Sequence, residues 1–188
     1  MKLILGSGSI TRKKILEEAN YTFEVMSADI DEKTIRSTDF SKLPLLIAQA
    51  KAKALLTEIR EEAILITADQ VIVCNRELRE KPESKEQAEE YLRSYAHYPA
   101  QTITGIVVTN TKTGKQASDT HIAKIHFKKI PDSVIATVLK DGRFMNVAGG
   151  FKVEDPLLEE YIDHIEGSID SIRGLPLGLV EKLITEVS

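Results

Sequence analysis

A short turn near the start of the chain combines residue types that bind phosphate groups. Gly6-Ser7-Gly8-Ser9 follows the apolar run 2–5 and precedes a predicted helix. Arg12 and Lys13 lie in the first turn of that helix, where the partial positive charge of the helix makes cations unfavourable unless an anion compensates for them. The glycines allow close backbone approach to such an anion, and the serines add hydroxyl donors. The pattern predicts a phosphate site; the alternative is a solvent-exposed basic helix end after a flexible turn.

Two common nucleotide-binding motifs are ruled out at this turn. The P-loop pattern G-x-x-x-x-G-K-[ST] does not occur in the sequence. Thr11 occupies the place where the dinucleotide pattern G-x-G-x-x-G requires its third glycine. A phosphate bound here is therefore held by a different combination of strand, turn and helix start.

Acidic residues follow two of the predicted strands. Asp69 comes directly after the apolar run 64–68, and Asp31 and Glu32 follow a predicted strand over residues 22–27. A carboxylate at the carboxyl end of a buried strand is a favoured catalytic position in α/β folds. Near a phosphate site, such carboxylates would bind Mg²⁺ through oxygen, and one could activate a water for attack at phosphorus. The alternative is that Asp69 caps a turn and the other two lie in a solvent-exposed loop.

Three further charged residues have two interpretations each. Lys51 lies at the edge of the apolar stripe of a predicted helix, where it either extends to solvent or reaches a phosphate. Lys81 precedes Pro82 in an extended segment, and its position is compatible with either role. Glu154 follows the glycine pair 149–150 and either contacts a ligand or faces water.

Composition limits the class of protein. The 188 residues carry a net charge of −4 and a pI of about 5.7, which argues against a general nucleic-acid-binding protein. No run approaches the roughly 18 apolar residues of a membrane span, and residues 1–6 are too short for a signal-peptide core. Cys74 is the single cysteine, which rules out an internal disulfide and suits a reducing compartment. We expect a complete cytoplasmic protein that binds neither nucleic-acid polymers nor membranes.

The histidines show no metal-binding pattern. The sequence lacks both C-x-x-C and H-E-x-x-H, so a structural zinc site is not expected. All four are expected to be structural or surface residues: His97, His121, His126 and His164.

The elements that must position these residues alternate between strands and helices. The βαβα order of the first half, followed by a predicted hairpin over residues 102–110 and 117–128, predicts an α/β fold with a mixed central sheet flanked by helices. We expect one domain over residues 1–188, with a division into two lobes near residue 70. The other predicted elements are helices over about 10–19, 41–59, 84–95, 131–140 and 175–187, and strands over about 2–5, 22–27, 63–67, 71–74 and 162–166.

Seven short, collinear segments match a known family pattern: residues 3–16, 31–32, 48–52, 68–71, 80–82, 148–151 and 174–176. Together they resemble the Maf family of nucleoside-triphosphate pyrophosphatases, in the inosine-triphosphatase-like superfamily. The resemblance implies an elongated fold with two lobes around a central cleft, and a homodimer. It also implies cleavage of a nucleoside triphosphate to a monophosphate and pyrophosphate, with a divalent cation such as Mg²⁺ or Mn²⁺.

The resemblance also implies a role for individual residues. Asp69 corresponds to the catalytic base, and Glu32 corresponds to a carboxylate that shares the metal site with Asp69. Lys51 and Lys81 would stabilise the charge that develops in the transition state. The remaining phosphate-facing positions are Ser7, Ser9, Arg12 and Lys13.

Three positions separate the substrate branches of the family. By this resemblance, the branch that acts on dTTP and UTP has Arg, Thr and Gln at the positions of Thr11, Gln70 and Glu154. The branch that acts on 7-methyl-GTP has Trp, Gln and Glu at the same three positions. Two of the three residues therefore favour the 7-methyl-GTP branch. The 7-methylguanine ring is cationic, and the Glu154 carboxylate would complement its charge. Thr11 cannot stack on a base as Trp would.

Three functions remain open at this point. The first is a pyrophosphatase that removes modified or non-standard nucleotides, acting on 7-methyl-GTP or, as the alternative, on dTTP and UTP. The second is a non-catalytic, nucleotide-binding regulator of cell division, although a pure sensor has no need of a positioned base. The third is a phosphotransferase or sugar-nucleotide enzyme, for which the sequence offers no second-substrate motif.

Overall fold

The computed structural model describes residues 1–188, with side chains for all of them except Arg143. It has a mixed α/β fold around a seven-stranded sheet in the order β2-β1-β3-β5-β6-β7, with β4 paired to β3. The strands are β1 Lys2–Gly6, β2 Glu24–Val25, β3 Ala63–Cys74, β4 Glu77–Leu78, β5 Ala100–Asn110, β6 Gln116–Phe127 and β7 Ile162–Glu166. The helices are α1 Ile10–Glu18, α2 Leu43–Leu56, α3 Lys85–Ser94, α4 Asp132–Asp141, α5 Ile169–Ile172 and α6 Leu177–Val187.

The chain divides into two compact units. The first contains Met1–Gln70, Ile103–His121 and Arg173–Ser188, and the second contains Val71–Thr102 and Ile122–Ile172. One boundary therefore lies between Gln70 and Val71. The chain passes between the units within three strands, β3, β5 and β6, and again before Arg173.

The first unit packs helices on both faces of its strands. β1 runs parallel to both of its neighbours, β2 and β3, with Leu5 opposite Ile66 in the β1–β3 pair. Because side chains alternate along a strand, Leu5 and Ile66 pack with residues of α1 and α6, whereas Ile4 and Leu65 pack with Leu55 of α2. The parallel strands are therefore apolar on both faces, as covered parallel strands must be.

Two backbone contacts hold α2 against the sheet. Gly105 of β5 lies directly under the start of α2, where an added Cβ would overlap the backbone of Leu45. Further along, the Thr67 hydroxyl donates a hydrogen bond of 2.8 Å to the carbonyl of Ala48. Both contacts fix the part of α2 that precedes Lys51.

The second unit has its own core, in which aromatic rings are prominent. Tyr95, Phe127 and Phe151 contact one another with ring centroids 5.1–5.6 Å apart. Apolar residues of α3 and α4 pack against them, including Leu92 and Ile135. The Tyr95 hydroxyl donates to the carbonyl of Gly149, a glycine with a φ of 73°. Among the described residues, no helix combines the length and the apolar composition needed to cross a bilayer.

Most predicted elements are confirmed within a few residues. Ser9 caps α1 by accepting a hydrogen bond from the Arg12 amide, and Ser84 caps α3 by accepting one from the Gln87 amide. The predicted hairpin is formed by the neighbouring strands β5 and β6, and the last predicted strand is β7. Three predicted elements are shorter in the structure than expected: the strand over 22–27 is reduced to Glu24–Val25, the helix over 41–59 to Leu43–Leu56, and the helix over 175–187 to Leu177–Val187.

The prediction that a strand ends just before Asp69 is wrong. Residues 63–67 and 71–74 belong to one continuous strand, β3, and Asp69 lies inside it. The pairing of β3 with β1 does end there, because Gly6 opposite Thr67 is the last residue pair of the two strands. Asp69 therefore lies just past the carboxyl end of β1 on a strand that continues, which the apolar run of β3 alone could not indicate.

We expect substitution of Gly105 by Ala to lower the free energy of unfolding by about 1–3 kcal/mol, because the new Cβ would overlap the α2 backbone, which cannot rotate away. Gly178→Ala in α6 is the matched control, since an added Cβ meets nothing within 4 Å there. It should leave stability unchanged or raise it by up to about 1 kcal/mol. Urea denaturation measures both; equal stability of the two variants would contradict the close approach of α2 to β5.

Candidate functional site

The turn between β1 and α1 is organised by two serine hydroxyls. Ser7 Oγ accepts hydrogen bonds from the Ser9 amide at 3.3 Å and from Arg12 Nη1 at 3.1 Å. With its lone pairs engaged, the Ser7 hydroxyl is left to act as a donor, which suits an anionic ligand. Ser9 Oγ caps the helix through the Arg12 amide. The serines therefore shape the turn as well as supplying hydroxyl groups to it.

Arg12 ties this turn to two other segments of the first unit. Its Nε donates to the carbonyl of Gly174 at 2.9 Å, and its Nη1 donates to the carbonyl of Ala68 at 2.9 Å in addition to Ser7. The residue is 9% exposed. Burial lowers the pKa of the guanidinium, and the nearby carboxylate of Asp69 opposes that shift. Arg12 thus serves first as a positioning group, with its charge held beside the strand that carries Asp69.

A buried ammonium group joins the two predicted metal ligands. Lys51 Nζ lies 2.8 Å from Asp69 Oδ1 and 2.8 Å from Glu32 Oε1. Only 9% of the Lys51 side chain and 13% of the Asp69 side chain are exposed, whereas half of Glu32 is exposed. Side-chain alternation along β3 explains the contact, because Asp69 points to the same face as Thr67, the face that α2 covers.

Burial raises the pKa of Asp69 above its ordinary value. The cations Lys51 and Arg12 lower this pKa, and the neighbouring carboxylate of Glu32 raises it. Asp69 is therefore a desolvated carboxylate whose charged form depends on nearby cations. A group with this combination of burial and specific charge partners is a candidate for acid–base chemistry.

The donor set at this point fits a hard divalent cation. Glu32 and Asp69 each place a carboxylate oxygen 2.8 Å from Lys51 Nζ, so the two carboxylates lie close to each other beside this ammonium. Mg²⁺ in enzymes is commonly held by one or two carboxylates together with substrate phosphates. Glu32 and Asp69 are the residues that would hold such an ion.

Three more predicted residues of the first unit lie around the turn. Lys13 is exposed, with its Nζ 3.6 Å from a Glu17 carboxylate oxygen one helical turn away. Gln70 follows Asp69 on β3 and donates from Nε2 to the Thr104 hydroxyl at 2.8 Å. Thr11 is half-buried in the first turn of α1. The structure thus groups Ser7, Ser9, Arg12, Lys51, Asp69, Glu32 and Gln70 through a connected set of contacts within this unit.

Lys81 and Glu154 belong to the second unit. Lys81 is exposed in the segment between β4 and α3, next to the buried Pro82. The backbone before it is fixed, because the Gly149 amide donates to the carbonyls of both Arg79 and Glu80. Glu154 lies in a turn after Phe151 and is exposed.

Glu154 lines a cavity of about 130 Å³ within the second unit. Lys152 and Asp155 contribute charge to the lining, and Phe144 and Phe151 contribute aromatic groups. The lining of this cavity thus combines two carboxylates and one ammonium group with an apolar wall.

Two of the four histidines contact each other in the structure, which the sequence did not indicate. His126 and His164 stack against each other across β6 and β7, with Glu166 hydrogen-bonded to His126. They are surface residues, as expected. Their pairing was missed because it depends on strand register rather than on spacing within one element, and no signal in the sequence marks it.

The chain matches the model of a family described as Maf-like protein over residues 2–187. It belongs to the Maf-like family. A 7-methyl-GTP pyrophosphatase of Dictyostelium discoideum is 47% identical to it, over 99% of this chain and 97% of that protein. A dTTP/UTP pyrophosphatase of Vibrio vulnificus (strain YJ016) is 31% identical over 98% of each chain. A nucleoside triphosphate pyrophosphatase of Chlamydia muridarum is 33% identical over 98% of this chain and 93% of its own length.

If Asp69 acts as a base, the pH dependence of the reaction should change when the contact between Asp69 and Lys51 is removed. Activity needs ionised Asp69 and falls at acid pH, and the midpoint of that fall lies above that of an ordinary aspartate because burial raises the pKa. Replacing Lys51 by Met removes a cation that lowers this pKa, so the acid limb of kcat/KM should move to higher pH. Lys53→Met, an exposed residue of the same helix, should leave the limb in place. An unmoved limb in Lys51→Met would contradict the coupling.

Proposed function

We propose that this Maf-like protein is a nucleoside-triphosphate pyrophosphatase and that 7-methyl-GTP is its substrate. The observation that carries the reaction class is the buried Lys51–Asp69 pair, with Glu32 beside it and the Ser7–Arg12 turn bonded to the same strand. These groups are what hydrolysis of a phosphate anhydride requires: a cationic cradle for the phosphates, a carboxylate base, and oxygen ligands for a divalent ion.

The phosphates bind at the start of α1. The backbone amides of that helix and the hydroxyls of Ser7 and Ser9 donate to phosphate oxygens, and exposed Lys13 adds positive charge. Arg12 donates hydrogen bonds to β3 and to the Gly174 carbonyl, which fixes the position of the phosphate-binding turn relative to Asp69 on β3. Lys81 adds a further phosphate contact; this part of the proposal rests on the family resemblance.

Asp69 accepts the proton of the attacking water. Lys51 engages Asp69 Oδ1, so the proton passes to Oδ2 as the water oxygen forms its bond to phosphorus. The bond between phosphorus and the bridging oxygen breaks, and pyrophosphate leaves with that oxygen. Lys51 stabilises the ionised form of Asp69 before the step and remains next to the negative charge of the phosphates throughout it.

Mg²⁺ or Mn²⁺ is the ion that we propose for Glu32 and Asp69. When bound, it would neutralise the charge that accumulates on the phosphate oxygens. The exposed Glu32 carboxylate has the freedom to turn from Lys51 toward such an ion, whereas the buried Asp69 carboxylate stays on its strand.

The choice of 7-methyl-GTP rests on charge. The 7-methylguanine ring carries a positive charge that guanine, uracil and thymine lack, and Glu154 supplies a carboxylate in an otherwise partly aromatic cavity. Gln70 agrees with the same substrate branch, and so does the 47% identity to the Dictyostelium enzyme. The lower identity to dTTP/UTP pyrophosphatases, 31% for the Vibrio protein, makes pyrimidine nucleotides the second candidate.

Two further properties are proposed from the sequence and the resemblance. A homodimer is proposed because it is common in the family. A cytoplasmic location is proposed because the chain has a single cysteine, buried Cys74, and so makes no use of disulfides within one chain.

The proposal is tested by measuring pyrophosphate release with Mg²⁺ or Mn²⁺ from 7-methyl-GTP, GTP, ITP, ATP, CTP, dTTP and UTP. We expect 7-methyl-GTP to give the highest kcat/KM, and Asp69→Asn to lower kcat by about 10²–10⁴-fold because the base is lost. Asp31→Asn, an exposed neighbour of Glu32, is the control and should remain active. Turnover led by dTTP and UTP would keep the reaction and overturn the substrate. Tight binding without release from any nucleotide would favour a non-catalytic regulator.

Glu154→Gln tests the charge argument separately. Loss of a charge-assisted contact should lower kcat/KM for 7-methyl-GTP by about tenfold or more and change kcat/KM for GTP little. Glu159→Gln, another exposed glutamate of the second unit, is the matched control and should change neither. Equal losses on both nucleotides would show that Glu154 does not recognise the methylated ring.

A further inference from the structure

His126 and His164 form a face-to-face pair on the neighbouring strands β6 and β7 at one edge of the sheet. They lie directly opposite each other in the antiparallel β6–β7 register, with ring centroids 4.1 Å apart and the ring planes 10° from parallel. Glu166 reaches the same place, because its Oε1 lies 2.8 Å from His126 Nε2. One donor atom from each of the three residues lies within 4.8 Å of the others.

Each end of this cluster is held by an outer partner. His164 Nδ1 is 2.9 Å from Asp163 Oδ2, which leaves Nε2 as the nitrogen that can bind a ligand. Lys124 Nζ is 2.8 Å from Glu166 Oε2, so the other carboxylate oxygen, Oε1, is the one directed to the histidines. A carboxylate that orients a metal-binding imidazole, and a hydrogen bond that orients a metal-binding carboxylate, are regular features of protein metal sites.

We propose that His126, His164 and Glu166 form a binding site for a first-row transition-metal dication of the Zn²⁺ type. Two imidazoles and one carboxylate are the ligands that such ions select, whereas Mg²⁺ prefers an all-oxygen set. At Zn–N bonds of about 2.0–2.1 Å, tetrahedral ligand atoms lie about 3.3 Å apart, so small side-chain rotations of these surface residues complete the site. Water takes the fourth position.

This site is separate from the Lys51–Asp69–Glu32 group in both residues and chemistry. All of its ligands belong to the second unit, and they lie on two strands that a bound ion would cross-link at the edge of the sheet. Because the three ligands meet only when β6 and β7 are paired, the ion would bind the folded protein alone and so raise its thermal stability.

The test is a calorimetric titration of untagged protein with ZnCl₂ at neutral pH, in the presence of millimolar Mg²⁺ to occupy oxygen-ligand sites. We expect one equivalent of Zn²⁺ to bind, with at least tenfold weaker binding in His126→Gln and in His164→Gln. His97→Gln, an exposed histidine elsewhere in the second unit, should bind as the parent does. Unfolding midpoints without Zn²⁺ check that each variant is folded.

Two results would overturn the site. One is equal Zn²⁺ affinity in the parent and in both cluster variants; the other is loss of binding in Glu32→Gln, which would assign the ion to the carboxylate group instead. Imidazole ¹⁵N NMR gives an independent measurement, since Zn²⁺ should shift the resonances of His126 and His164 and leave those of His97 and His121 in place. These readouts do not depend on pyrophosphatase activity, so they stand whether or not the proposed reaction is correct.

Discussion

The buried ammonium of Lys51 is the constraint around which the first unit is built. A charge removed from water costs several kcal/mol unless it is paired and hydrogen-bonded, and Lys51 is paired with two carboxylates at once. Those contacts exist only while α2 lies against the sheet, which the close approach at Gly105 and the Thr67–Ala48 hydrogen bond maintain. The same packing desolvates Asp69, which raises its pKa, and brings to it the Lys51 cation, which lowers that pKa; one arrangement therefore produces both effects on the proposed base.

Arg12 extends this constraint to the turn between β1 and α1. A single guanidinium joins the turn after β1, the backbone next to Asp69 and the segment before α6, all within the first unit. The glycine and serine residues of the turn make that approach sterically feasible. Arg12 is predicted to face phosphate. In the structure its guanidinium donates hydrogen bonds to other parts of the protein, and Lys13 is the more exposed cation of this turn.

Local patterns in the sequence were sufficient to predict much of the fold, including the turn between β1 and α1. Ser9 and Ser84 could be predicted as the starts of helices because helix capping depends on residues three apart in the sequence. The hairpin of β5 and β6 could be predicted from the β-rich runs on either side of Thr113-Gly114. Asp69 was placed at a strand end because polar residues interrupt the apolar run, yet β3 continues through them: Thr67 and Asp69 face the α2 side, where each finds a partner. The meeting of Lys51 with Glu32, and the stacking of His126 on His164, depend on tertiary packing and strand register, which spacing along one segment does not encode.

The proposed reaction is attack of water on a phosphate anhydride with release of pyrophosphate, in which Asp69, paired with Lys51, is the base. The most direct test is ³¹P NMR of the products formed from 7-methyl-GTP with Mg²⁺. We expect 7-methyl-GMP and pyrophosphate in equal amounts, with no orthophosphate formed alongside them. Formation of 7-methyl-GDP and orthophosphate, or an unchanged spectrum from folded protein with every nucleotide tried, would contradict it.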